Sequence, residues 1–212
     1  MKIKSFVFNP FYENTYVVSS DEGNCLIFDP GCYEDYEVAE LKEYIHMNDL
    51  KVVAIINTHC HIDHVLGNDV LKTEYKVPLK IPKNEKEVFD SVPAYAPQWG
   101  MAGYRHAEVD EFLAEANDLI LDEIKLKMIE VAGHSPGHLI FYNEDAKVII
   151  GGDVLFRESI GRTDLPGGNH DDLLRNIQEK VYTLPEDVKV LPGHGPSTTI
   201  GHEKTHNPFV KA

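Results

Sequence analysis

The sequence predicts a mixed α/β fold in which β-sheets are sandwiched between helices. Short strand patterns open the chain, strands then alternate with helical patterns, and strand patterns return in a comparable second half. This order of elements is typical of sheets covered by helices. A chain of 212 residues is long enough to bury its own core, and we expect a single domain over residues 1–212.

In the first half, residues 2–8, 14–19 and 24–29 are predicted strands, and the turn residues between them indicate an antiparallel meander. Residues 34–47 carry apolar side chains at helical spacing. Residues 51–57 form an almost continuous β-branched run, which is typical of a strand buried on both faces. The remaining elements expected here are a helix over 64–75, a strand over 77–81 and a short helix over 84–89.

In the second half, residues 91–117 are expected to form an insertion. Its first part, 91–103, is predicted to be an irregular loop because it contains two prolines, two glycines and the only tryptophan. Asn169 is expected to cap the helix that follows it. The elements predicted after the insertion are strands over 119–121, 124–131, 139–143, 147–150 and 188–191, and a helix over 171–182.

The composition excludes several classes of partner. Twenty Lys and Arg against 35 Asp and Glu give a net charge of −15, which argues against nucleic acid and anionic membranes as partners. No signal-peptide pattern and no membrane-length apolar run is present. Three cysteines do not form a disulfide framework, so we expect a cytoplasmic protein; the sequence leaves its oligomeric state open.

A dense cluster of potential metal ligands follows the strand that ends at residue 57. It has the pattern His-x-His-x-Asp-His, formed by His59, His61, Asp63 and His64. In an extended segment alternate side chains share one side, so His59 and His61 can reach one metal ion. The turn into the next helix lets Asp63 and His64 face a second ion.

Three more potential ligands stand at glycine-rich strand ends: His134 in Gly-His-Ser-Pro-Gly-His, Asp153 in Gly-Gly-Asp, and His194 in Pro-Gly-His-Gly-Pro. Glycine lets the backbone bend closely around an ion. Ligand sites in open sheets gather at the strand ends, so we expect these residues to converge on one edge.

With these motifs the chain resembles the metallo-β-lactamase superfamily, and within it the glyoxalase II-like (hydroxyacylglutathione hydrolase-like) branch. The resemblance spans nearly the whole chain, including Asp-Pro-Gly at 29–31 and the segments 152–156 and 159–168. It implies a four-layer αββα sandwich with a two-metal site at one edge of the paired sheets. It also implies that His59, His61 and His134 hold one metal and Asp63, His64 and His194 the other, with Asp153 bridging, and that Arg162 contacts a substrate carboxylate.

Imidazoles and carboxylates suit two divalent ions, with zinc favoured and iron or manganese as alternatives. Such ions provide hydroxide at neutral pH, so the expected nucleophile is a metal-bound water held at Asp63 and Asp153. A thioester is the favoured substrate because a thiolate departs without an acid catalyst. The predicted function is hydrolysis of a small anionic thioester of the hydroxyacylglutathione (S-lactoylglutathione) type.

Two other functions stay open. A persulfide dioxygenase of the same fold would use one iron held by two histidines and a carboxylate, and a phosphodiesterase or nuclease would use the same metal motif. Among the other residues, His138 is expected to be structural, and Cys60 to be a free thiol directed away from the ligands. Tyr95, Trp99, Met101 and Tyr104 either form an aromatic wall over the site or cover the core.

Overall fold

Two six-stranded β-sheets lie at the centre of the fold. The computed structural model describes residues 1–211. The first sheet has the order β1-β2-β3-β4-β5-β6, in which β1 to β3 are antiparallel and β3 to β6 run parallel. Its strands are β1 (Lys2–Phe8), β2 (Glu13–Ser19), β3 (Asn24–Phe28), β4 (Lys51–Ile56), β5 (Leu79–Pro82) and β6 (Glu111–Leu113).

The second sheet has the order β14-β13-β10-β9-β8-β7, with a parallel pair at β10 and β13. A separate two-stranded hairpin, β11 with β12, follows β10 along the chain. The strands are β7 (Asp118–Leu121), β8 (Ile124–Glu130), β9 (Leu139–Asn143), β10 (Val148–Gly152), β11 (Leu155–Phe156), β12 (Ser159–Ile160), β13 (Lys189–Pro192) and β14 (Thr198–Thr199).

Six α-helices accompany the sheets within residues 1–211. They are α1 (Asp35–Met47), α2 (Ile62–Val65), α3 (Asn68–Tyr75), α4 (Lys86–Tyr95), α5 (His170–Asn176) and α6 (Ile200–His206). Among these described residues, no helix is both long and apolar enough to cross a membrane.

Three apolar clusters mark the boundaries between four layers. Alternate residues of β4 divide between two of them: Ile55 packs in the cluster with α1, α3 and α4, and Ile56 in the cluster between the sheets. In β9, Phe141 faces the first sheet, and Ile140 packs in the third cluster with α5 and α6. Because successive side chains of a strand point to opposite faces, each central strand is apolar on both. The predicted arrangement of sheets sandwiched between helices is thereby confirmed.

The loop predicted over 91–103 is wrong in its first part. Helix α4 runs through Pro93 to Tyr95, and a 3-10 turn covers Ala96–Trp99. Phe89, Val92 and Ala96 are buried at helical spacing, and this burial outweighs the hydrogen bond that Pro93 cannot donate. The predicted insertion also contains β6, which pairs with β5 in the first sheet.

Other differences concern short elements and helix ends. The helix predicted over 64–75 is two helices that meet near Gly67, where a Cβ atom would lie 2.5 Å from the Cys32 sulfur. The helix predicted over 171–182 ends in a π-type turn at Ile177–Val181. Asn169 caps α5 as predicted, because its side chain accepts the Asp172 N–H at 3.1 Å. Strands β6, β11, β12 and β14 were not predicted, because two or three residues are too few to show a periodic pattern. Helix α6 was not predicted either, because its sequence, Ile-Gly-His-Glu-Lys-Thr-His, has a single apolar side chain and no apolar periodicity.

Candidate metal centre

The segments that follow β4, β8, β10 and β13 meet at one edge of the two sheets. His59 and His61 follow β4, Asp63 and His64 lie on α2, and His134 lies in the turn between β8 and β9. Asp153 follows β10, and His194 follows β13. The structure brings the side chains of all seven predicted ligands together.

Three histidines form the first group. The Nε2 atom of His134 lies 2.8 Å from Nδ1 of His61 and 3.2 Å from Nε2 of His59. All three side chains are buried, with exposed fractions of 0 to 8%. Three imidazole nitrogens that converge in this way match the donor set of one divalent ion.

Asp63, His64 and His194 form the second group. Oδ2 of Asp63 lies 3.0 Å from Nε2 of His194 and 3.6 Å from Nε2 of His64. The chain folds this way because Asp63 and His64 lie in the first turn of α2, directly after the extended His59–His61 segment. These two side chains and His194 form a group separate from His59, His61 and His134.

The carboxylate of Asp153 lies between the two groups. Its Oδ2 atom is 3.6 Å from Nε2 of His134 and 3.5 Å from Nε2 of His194. Its Oδ1 atom is 3.5 Å from Nε2 of His64. One side chain therefore faces ligands of both groups, which is the position that a bridging carboxylate occupies.

Two backbone carbonyls orient the imidazoles. Nδ1 of His134 lies 2.7 Å from the carbonyl oxygen of Arg162, and Nδ1 of His194 lies 3.0 Å from that of Phe11. A carbonyl accepts only, so each Nδ1 carries the proton and each Nε2 offers its lone pair to the cluster. The sequence does not predict these contacts, because a backbone acceptor leaves no signal in the residue pattern.

Asp29 supports the cluster from behind. Its carboxylate accepts the Thr58 N–H at 2.7 Å and the Thr58 hydroxyl at 2.6 Å, and it lies 3.2 Å from Nδ1 of His64. Asp29 has a φ of 46°, a conformation uncommon for residues other than glycine. The Asp-Pro-Gly motif after β3 marks this residue in the sequence, but the motif alone does not predict its contact with His64.

Glu85 joins the two turns that carry the first group. The buried carboxylate accepts the Cys60 N–H at 2.9 Å and the Gly137 N–H at 2.6 Å. Cys60 lies between His59 and His61, and Gly137 lies three residues after His134. Burial raises the pKa of Glu85, and these hydrogen bonds oppose that shift. Sequence reasoning missed this residue because nothing near position 85 resembles a ligand motif.

Burial keeps the first group neutral. Burial lowers the pKa of His61 to about 3. It also lowers the pKa of His134, and it lowers that of His59 well below the ordinary value. His64 behaves differently: burial lowers its pKa, but the carboxylates of Asp63 and Asp153 outweigh burial and raise the pKa well above the ordinary value. Neutral imidazoles are the form that binds a metal.

The residues present fit divalent ions. Within the described chain, Nε2 of His64 and Oδ1 of Asp153 are buried and have no hydrogen-bond partner. Buried polar atoms normally have a partner, so these two require one that the protein does not supply. Gly193 leaves room for the carboxylate, because a Cβ atom there would lie 2.1 Å from Oδ1 of Asp153. The nitrogen and oxygen donors suit zinc, iron or manganese.

A cavity of about 1090 Å³ opens onto this cluster. His61, Asp63, His134, Asp153 and His194 all line it. This volume accommodates an organic substrate rather than water alone.

Residues 8–194 match the family model of the metallo-beta-lactamase superfamily. The chain belongs to this superfamily. The predicted resemblance and the αββα fold are thereby confirmed, and the superfamily membership, together with the His and Asp cluster, supports a metal-dependent hydrolase.

Two curated relatives of this superfamily member align over nearly their full lengths. A probable metallo-hydrolase of Bacillus subtilis, YqgX, is 38% identical, and the alignment covers 99% of this chain and 98% of YqgX. The hydroxyacylglutathione hydrolase GloC of Haemophilus influenzae is 34% identical and covers 100% of this chain and 99% of its own.

Two solved structures have the same fold. The B3 metallo-β-lactamase BLEG-1 superposes with a TM-score of 0.89 at 35% identity and covers 100% of both chains. The di-iron-bound form of TTHA1623 superposes with a TM-score of 0.86 at 32% identity and covers 98% of this chain and 100% of its own.

Arg162 lines the cavity of this metallo-β-lactamase fold. Its guanidinium is half exposed and makes two hydrogen bonds to the carboxylate of Asp164, at 2.7 and 2.8 Å. A substrate carboxylate at this position would compete with Asp164.

The four residues expected to cover either the site or the core divide between the two. Tyr95 and Trp99 line the cavity, whereas Met101 is buried in the first apolar cluster and Tyr104 packs against it. His138 accepts the Asp153 N–H at 3.0 Å, which is the structural contact expected for it. Cys60 is a buried free thiol in the first apolar cluster, and burial raises its pKa well above the ordinary value.

Proposed function

We propose that this protein is a thioester hydrolase that uses two divalent metal ions and cleaves small anionic thioesters of the hydroxyacylglutathione type. The position of Asp153 between the two ligand groups carries the two-metal part of the proposal. The 34% identity to GloC over the whole chain supports the substrate class.

In this proposal His59, His61 and His134 would hold one ion and Asp63, His64 and His194 the other, with Asp153 available to both. When bound, the ions supply a water that is acidic enough to ionise near neutral pH and a Lewis acid for the substrate carbonyl. Zinc is the favoured metal because a site of nitrogen and oxygen donors generally binds zinc more tightly than iron(II) or manganese, and iron is supported by the di-iron form of TTHA1623.

The protein orients the reacting groups through rigid contacts. Asp63 and Asp153 face the cavity, and both carboxyl groups have a pKa below the ordinary value: burial raises it, but His64 and His194 outweigh burial. Both therefore remain carboxylates at neutral pH, and when metal is bound either carboxylate could accept a hydrogen bond from a water held at the site. Arg162 receives a carboxylate of the substrate in place of Asp164.

The leaving group explains why a thioester is preferred over an amide. A thiol with a pKa near 8.5 departs as a thiolate, whereas an amine must first be protonated. The sequence offers no dedicated general acid for that step. The three free, buried cysteines also support the inference that the protein works in a reducing compartment such as the cytoplasm.

The test uses purified protein reconstituted separately with zinc, iron(II) and manganese. S-Lactoylglutathione is added, and thioester loss and free thiol are both measured, with metal content per chain determined by elemental analysis. We expect turnover with about two metal ions per chain. His134→Ala should abolish turnover, and His170→Ala, at an exposed helix start outside the cluster, should not.

Three further substrates distinguish the alternatives. Hydrolysis of a chromogenic β-lactam without thioester cleavage would assign the protein to the activity named for BLEG-1. Oxygen uptake with glutathione persulfide and one iron per chain would indicate a dioxygenase. Cleavage of bis(p-nitrophenyl) phosphate alone would indicate a phosphodiesterase. Each of these results would contradict the proposed thioesterase.

A further inference from the structure

Much of the cavity lining is apolar. We define the apolar wall as Phe11, Val88, Tyr95, Trp99, Phe156 and Ile160, all of which line the cavity together with the metal-facing residues. Phe11 lies between β1 and β2, the next three belong to α4 and the turn after it, and the last two belong to the β11–β12 hairpin. Three separate parts of the chain thus present apolar groups to the same space.

Trp99 is the exposed residue of this wall, and Phe11 lies partly buried beside it. Their ring centroids lie 5.8 Å apart with the planes tilted by 53°, within the range of favourable aromatic pairs. Trp99 remains 45% exposed. A large aromatic side chain that stays accessible beside a cavity is typical of a binding surface. A ligand that covers exposed apolar area removes it from water, and this lowers the free energy of the complex.

The cationic groups of the cavity are few by comparison. Among the lysines and arginines of residues 1–211, Arg162 alone lines it, and Asp164 holds its guanidinium. Glu87 adds a negative charge to the lining. Glutathione carries two carboxylates, so ionic contacts with Arg162 account for only part of its recognition.

On the basis of the thioesterase proposed above, we propose that the apolar wall binds an apolar group of the substrate. This group is an aliphatic or aromatic chain of several carbon atoms, attached either to the acyl carbon or to the sulfur. Phe11, Trp99 and Phe156 are then specificity-determining residues. Each methylene that leaves water on binding should tighten binding by up to about fourfold.

Trp99 gives a binding readout that does not require hydrolysis, because it is the only tryptophan in the chain. The zinc-loaded protein is titrated with S-hexylglutathione and S-methylglutathione, and separately with hexanoate and acetate, while tryptophan emission is followed. We expect the hexyl or the hexanoyl compound to bind at least about tenfold more tightly than its short partner. The pair that shows this preference identifies whether the apolar group is on the sulfur or on the acyl side.

Variants test whether the wall causes the preference. Phe11→Ala and Phe156→Ala keep Trp99 as the reporter and should reduce the preference to about threefold or less. Ile120→Ala is the matched control, because Ile120 is 59% exposed on β7 and does not line the cavity. Equal binding of long and short partners in both pairs would overturn the proposal, as would a preference that survives in Phe11→Ala and Phe156→Ala alike. A preference that disappears in these variants, in a protein that cleaves no thioester, would support the wall and contradict the hydrolase.

Discussion

The carboxylate of Glu85 accepts the hydroxyl hydrogen of Ser135, whose Oγ lies 2.6 Å and 2.7 Å from the two carboxylate oxygens. Both side chains are fully buried. Ser135 is adjacent to His134, and Glu85 also binds the backbone beside His59 and His61. A residue outside every ligand motif thus fixes the distance between the two segments of the first metal group.

Replacing Glu85 by Gln should therefore destabilise the protein and loosen the first metal group. The glutamine NH2 group would face the donors that Glu85 now accepts, from Cys60, Ser135 and Gly137. At least one buried donor would then have no partner, which should lower the free energy of unfolding by about 2 kcal/mol. Urea unfolding measures this cost, and competition with a chromogenic chelator measures zinc affinity. Glu87→Gln, an exposed neighbour on α4, is the control for stability. Unchanged stability and zinc affinity in Glu85→Gln would show that the contact does not hold the turns.

Asp153→Ala should lower the bound metal from about two ions per chain toward one. The side chain faces both groups, so its loss removes a ligand from each, and kcat/KM should fall by about 100-fold or more. Elemental analysis after gel filtration gives the stoichiometry. Asp145→Asn, in the exposed turn before β10, should retain both ions. Two tightly bound ions in Asp153→Ala would contradict the bridging position.

Stability of the metal-free protein should fall as the pH falls from about 6.5 toward 3. His61 has an ordinary pKa of 6.5 and a folded-state pKa of about 3, so in this range the unfolded chain binds a proton that the folded chain excludes. The loss is up to about 1.4 kcal/mol for each pH unit for one such histidine. His64 has a raised pKa, so its contribution to the free energy of unfolding is fully present below pH 6.5 and is lost only at higher pH.

Urea unfolding at several pH values in the presence of a chelator measures this dependence. His61→Asn removes one of the suppressed titrations and should give a shallower slope. His46→Asn, at the exposed end of α1, should keep the slope of the unmodified protein. A metal-free protein equally stable at pH 7 and pH 4.5 would show that the cluster histidines are not held neutral.

Arg162 and Asp164 should have opposite effects on the KM for S-lactoylglutathione. Arg162→Gln removes the cation and should raise KM about tenfold with little change in kcat. Asp164→Asn frees the guanidinium from an exposed ion pair, which costs little to break, and should lower KM a few-fold. Arg157→Gln, on the neighbouring hairpin turn, is the charge-matched control. If both variants at 162 and 164 leave KM unchanged, Arg162 does not contact the substrate.

The amino-acid sequence by itself determined the order of the long elements and the residues with metal-ligand chemistry. Apolar periodicity is local, so strands such as β4 and β8 and helix α1 were predicted within a few residues. His59, His61, Asp63 and His64 are also local, because they lie within six positions of one another. Their residue types indicated a metal site before any fold was known.

Tertiary structure decided what lies around those ligands. The contacts that hold the ligands join residues far apart in the chain, from 25 positions for Glu85 and Cys60 to 183 positions for Phe11 and His194. Trp99 likewise reaches the cavity only in the folded chain. Such contacts depend on how the layers pack. Packing also explains why α4 continues past Pro93. The free energy gained by burying Phe89 and Val92 exceeds the cost of the one hydrogen bond that proline cannot donate. Local patterns therefore specified the ligand residues, and long-range burial decided how they are held and what surrounds the cavity.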